Sequence, residues 1–194
     1  MSNGGQKRSE HRGRSERGAA LVETAIILPL IILITFGMIE FSMAYRDASS
    51  VADAARAGAR TGSAQARNAN FAINAANAVA SVLQGDVPAD APIEVWIYKA
   101  NTNGYPGGGT DFSSCTTNCI SYQWDASTKA FRTSSPGGSG WSAATQNVCS
   151  EPFDQIGVFV RINHKYMTTF FGSNVVLTDH SVFRFEPVPS ATCS

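Results

Sequence analysis

The 194-residue chain sets 15 Lys+Arg against 15 Asp+Glu, a formal net charge of zero. No strongly basic domain is left to bind nucleic acid, and the length fits one ordinary domain rather than a multidomain enzyme. The average hides an uneven distribution: residues 1–17 hold five basic and two acidic side chains, 18–45 hold only Glu23 and Glu40, and 46–194 hold ten basic and eleven acidic ones. The chain therefore divides into a basic tail (1–17), an apolar segment (18–45) and a nearly neutral body (46–194).

The uncharged run Thr24–Ile39 covers about 24 Å as a helix, and Ala19–Ala44 about 39 Å, against a hydrocarbon core of about 30 Å. It is apolar on every face, whereas a core helix of so small a domain keeps a polar side. These features predict one membrane-spanning helix. Five cations precede it (Lys7, Arg8, Arg12, Arg14, Arg17) and three follow closely (Arg46, Arg56, Arg60). The positive-inside rule then puts the N-terminus in the cytoplasm. All four cysteines (Cys115, Cys119, Cys149, Cys193) lie in the body, on the side where disulfides form. The expected location is a bacterial cytoplasmic membrane, crossed once, with residues 46–194 outside the cytoplasm.

Glu23 stands out because a carboxylate inside a membrane helix costs about 2.5–3.5 kcal/mol on insertion scales. Cleavage after Gly18 would make Ala19 the new N-terminus, and its α-ammonium could then match the Glu23 carboxylate of a neighbouring chain in register. Pro29 removes the backbone bond to the Ala25 carbonyl and bends the helix. A competing route is signal-peptide cleavage after Ser42-Met43-Ala44, which would release a secreted domain beginning at Tyr45.

Gly18 with Glu23 five residues later, Pro29 in the apolar run, Gly37-Met38-Ile39-Glu40-Phe41 and Ala54-Ala55-Arg56-Ala57-Gly58-Ala59-Arg60 together resemble the N-terminal region of TadE-like proteins. These are minor pseudopilins of the tight-adherence (Flp) pilus apparatus. A weaker echo lies in Val175–Thr178 and Phe183–Pro187. The resemblance implies a pilin-like fold, a prepilin peptidase acting at Gly18, and partners among other pilus subunits and the assembly machinery. It does not extend to residues 86–155.

After the apolar segment, Tyr45–Leu83 reads as helix, with a break at Gly62-Ser63 and an end at Gly85-Asp86. Val51, Ala54, Ala55, Gly58, Ala59 and Gly62 recur at three- and four-residue spacing as a ridge of small residues. Such a ridge packs either on the domain's own sheet or against a neighbouring subunit. Ile93, Val95 and Ile97 alternate with Glu94, Trp96 and Tyr98, predicting a strand with one apolar face. Ser121–Trp124 and Lys129–Thr133 read as a hairpin, Val158–Asn163 as a strand, and Val175–Phe185 as a last strand or pair. The expected class is α+β: a membrane helix running on into a long helix packed on a small antiparallel sheet.

Two glycine-rich loops, Asn101–Asp111 and Ser134–Ser142, carry the aromatics Tyr105 and Trp141, read as exposed on loop tips. They have neither the Lys-Ser/Thr nor the strand-to-helix setting of a phosphate loop. Four cysteines allow three pairings; a local Cys115–Cys119 loop with Cys149–Cys193 is preferred on spacing. His164 and His180 read as strand residues rather than ligands, and no cofactor, metal or catalytic constellation is expected. Two functions remain: a structural pilus-assembly component, or a secreted or anchored module whose disulfide-stabilised loops bind a surface.

Overall fold

The computed structural model describes residues 10–133, 140–168, 170–188 and 193, with side chains from Gly18 onward. Lys7 and Arg8, the side chains of Arg12, Arg14 and Arg17, and most of the Ser134–Ser142 loop lie outside the described residues. The chain forms two compact units, 1–43 and 44–194.

The first unit is helical throughout its described length. It belongs to helix α1, Glu10–Ser63, which carries Pro29 in its interior without ending there. In the second unit, the rest of α1 is followed by helix α2 (Phe71–Asp86) and strands β1 (Pro92–Lys99), β2 (Cys119–Asp125), β3 (Ala130–Thr133), β4 (Gln155–Lys165) and β5 (Asn174–Arg184). The sheet is antiparallel with order β3-β2-β1-β4-β5. This is an α+β fold, and the final segment is one strand rather than a pair.

The main core lies on one face of the sheet. Val95, Ile97, Ile156, Val158, Val160 and Ile162 meet Val51, Ala54, Ala55 and Ala59 of α1 and Phe71, Val79 and Leu83 of α2. Successive strand residues alternate faces, so one row of β4 serves this core and the other row the opposite face. That opposite face is also covered. Trp96, Tyr98 and Phe159 are buried there with Phe112 packed against them, its ring stacked on Phe159 at 4.5 Å. The Tyr98 hydroxyl donates to the Gly104 carbonyl at 2.9 Å, and burial raises its pKa. A Cβ on Gly157, opposite Tyr98 in the register, would sit 2.2 Å from that ring.

The expectations for β1 and for the loop aromatics are corrected here. β1 is apolar on both faces rather than one, because the connection between β1 and β2 folds back over Trp96 and Tyr98. Ile93 is exposed despite the alternation, since the β1–β4 register shifts between Pro92 and Glu94. Trp141 is likewise not on an exposed tip. It is 3% exposed and packs edge-on to Phe71 at 5.4 Å and against Phe185 at 5.5 Å. Tyr105 is half-buried beside Phe112. The disulfides are Cys115–Cys119 and Cys149–Cys193.

Candidate functional site

Residues 18–36 of the first unit are exposed on every side of the helix. Leu21, Val22, Ile26, Leu30, Ile34 and Met38, spread around the helix, are all exposed. The most apolar window has a mean hydropathy of 2.4 with none of it buried, and among the described residues one helix is long and apolar enough to cross a membrane. The polar groups in this stretch are turned inward along the backbone. Thr24 donates its hydroxyl to the Ala20 carbonyl and Thr35 to the Ile31 carbonyl, each at 2.8 Å. That is how hydroxyls are satisfied where no water is available.

Glu23 has no such arrangement. It is exposed and makes no hydrogen bond or ion pair with any described residue. Its headgroup stands on an otherwise apolar surface, one turn from Ala19. Gly18 and Ala19 are exposed as well, and nothing lies within 4 Å of a Cβ placed on Gly18. Pro29 is exposed within the same helix. Glu40, further along, is 1% exposed.

In the second unit, the ridge Ala55, Gly58, Ala59, Gly62 is buried within its own domain. A Cβ on Gly58 would sit 2.6 Å from Val79 Cγ2 and 3.2 Å from both the Ala75 carbonyl oxygen and Val158 Cγ1. One on Gly62 would sit 2.4 Å from Ile156 Cδ1. The missing side chains are what let α2 and β4 approach this length of α1. Arg56 points outward and pairs with Asp53 at 3.1 Å, with both side chains largely exposed.

One pair escaped the sequence reading. His164 Nδ1 lies 2.7 Å from Asp47 Oδ2, with both residues buried, and His164 Nε2 has no partner among the described residues. Asp47 lies four residues before Val51 and eight before Ala55. That places a carboxylate on the buried ridge, and the helical spacing could have exposed it.

With both lengths of α1 described, the comparison with known families bears on this region. Residues 18–60 match the family model of TadE-like proteins. The TadE-like segment takes in Gly18, Ala19, Glu23, Pro29, Asp47 and the ridge as far as Ala59, and stops short of α2 and the sheet. No curated protein and no solved structure matches the chain.

Proposed function

We propose that this chain is a membrane-anchored TadE-like minor pseudopilin that supports assembly of a tight-adherence pilus or a related secretion apparatus. Its role is structural, through helix–helix and charge-matched contacts between subunits, rather than enzymatic. The observation that carries the reading is Glu23, a carboxylate without a partner among the described residues, on an apolar helix exposed throughout residues 18–36 whose sequence is TadE-like. In a low-dielectric bundle such a charge needs an opposite one. Cleavage after Gly18 by a prepilin peptidase supplies it as the α-ammonium of Ala19 on a neighbouring subunit. The five cations before the span and the two disulfides after it support a cytoplasmic N-terminus and an extracytoplasmic body.

Mass spectrometry of the mature chain tests this. A first residue of Ala19 is the expected result, Tyr45 overturns the reading, and an uncut chain removes the peptidase step. Glu23→Gln leaves membrane insertion intact and abolishes or strongly reduces piliation; unchanged piliation overturns charge matching.

A further inference from the structure

The sheet has two outer strands, β3 and β5, and they end it differently. β3 is four residues long, follows Lys129 at a φ of 51°, and carries Arg132 paired with Asp125. A short strand, a twisted entry and a cation are ordinary protections of a sheet edge. β5 has none of them. It pairs with β4 through 11 consecutive residues without a register shift, and its sequence contains neither proline nor lysine.

The bonds that flank β5 fix which of its backbone groups face outward. The Phe185 amide donates to the Asp154 carbonyl at 3.2 Å, and the Tyr166 amide to the Ser173 carbonyl at 3.1 Å. Both pairs continue the β4–β5 register. Bonded and unbonded pairs alternate along an antiparallel ladder, so the odd-numbered residues of β5 bond inward to β4. The even-numbered ones, Val176, Thr178, His180 and Val182, turn their N–H and C=O groups away from the sheet. Among the described residues no backbone group meets this row. One of its amides is satisfied locally, since His180 N–H donates to its neighbour Asp179 Oδ1 at 2.7 Å. The side chains of Val176, Thr178, His180 and Arg184 along the row are exposed.

We propose that β5 takes an extended segment of another protein as a sixth strand, antiparallel like every other pair in this sheet. A row of donors and acceptors at strand spacing is matched by another extended backbone, which supplies the complementary row. The side chains set the chemistry of that segment. Leu177, Asp179 and Phe183 lie on the helix-bearing face, because they pair with Ile162, Val160 and Ile156. The incoming strand therefore carries apolar residues opposite Leu177 and Phe183 and a cation opposite Asp179. A second copy fits less well. Two β5 strands related by a two-fold axis run end for end, and one such register sets Asp179 against itself. The Asp47–His164 and Gly62–Ile156 neighbours make α1 antiparallel to β4, so the points at which the two chains enter the second unit would lie at opposite ends of the pair. That disfavours two chains anchored in one membrane, and to this extent the inference rests on the membrane-anchored reading above.

The test is photo-crosslinking of the full chain in the producing cells, with benzoylphenylalanine replacing Val176, Arg184 or Phe36 in turn and the adducts mapped by mass spectrometry. Positions 176 and 184 are expected to reach one segment of one other protein, at sites about eight residues apart, with the site reached from 176 nearer that segment's C-terminus. Thr178→Pro removes an outward donor and leaves the inward ladder to β4 in place. It should abolish both adducts while the thermal unfolding midpoint of the purified chain is kept; His180→Pro replaces it if that midpoint falls. No protein adduct at 176 and 184, adducts on a second copy, adducts scattered over unrelated segments, or adducts that survive the proline overturn the strand pairing. Position 36 reports on the anchor separately. Lipid adducts there without edge adducts overturn the pairing and leave the anchored reading standing, whereas edge adducts without lipid at 36 overturn the anchored reading and leave the pairing standing.

Discussion

Helix α1 follows two opposite rules along its length. From Leu21 to Phe36 its side chains are mostly large and all exposed; from Val51 to Gly62 the inward ones are small and buried. The first length suits a surrounding solvent that is itself apolar, where bulk is harmless and an unreturned polar group is costly. The second suits a crowded protein interior, where each methyl group displaces a neighbour. The TadE-like match covers both rules. The matched segment thus holds both the apolar length and the surface on which its own domain packs.

The comparison can be broken most forcefully by adding bulk to each length in turn. Gly58→Leu drives a side chain into Val79 and the Ala75 carbonyl and should cost about 1–3 kcal/mol or more. It lowers the thermal unfolding midpoint of the full chain in detergent. Ala25→Leu, the same kind of change on the exposed length, should leave that midpoint unmoved; a comparable fall in both would erase the distinction.

A smaller effect is expected at the junction. His164→Ala leaves the Asp47 carboxylate buried without its partner, at about 1–3 kcal/mol. His164→Ala combined with Asp47→Ala should recover part of that loss. If the double variant is as unstable as the sum of the singles, the two side chains are not coupled, and chemical denaturation of the four proteins gives the answer.

The smallest effect concerns the β2–β3 turn, at the β3 edge of the sheet. Hydrogen bonds from the Ser127 hydroxyl and backbone amide hold the exposed Asp125 carboxyl down at about 2. Its folded pKa is depressed, so its contribution is complete above the ordinary carboxylate range and is lost as pH falls from about 4 through about 2. Amide exchange at Ser127 should speed up over that window in the wild type. Asp125→Asn should abolish the acid dependence without altering the α1 contacts.

The legible parts of the molecule were those governed by local pattern. The apolar run, the break at Ser63, the β2–β3 hairpin and the alternation of β4 each follow from spacing within a dozen residues. The ridge was visible as well, but not what it faces, because a row of Ala and Gly suits a neighbouring subunit as readily as Val79 and Val158. The misread positions depended on distant residues. Ile93 is turned outward by a register shift between strands, and Trp141 is buried because Phe71 and Phe185 meet it from elsewhere in the chain. Trp96 and Tyr98 needed a cover that only the folded β1–β2 connection supplies. Asp47 was not singled out, although its phase on the helix, four residues before Val51, already placed it inside.

The Cys149–Cys193 bond has a mechanical consequence. β4 and β5 lie between the two sulfurs, so tension applied near residue 193 passes through the covalent bond to residue 149. The hydrogen-bonded pair of strands is a slack loop beside that load path. A pull between this point and the membrane helix is carried through the connection back to β3, and β4 and β5 stay zipped while it lasts.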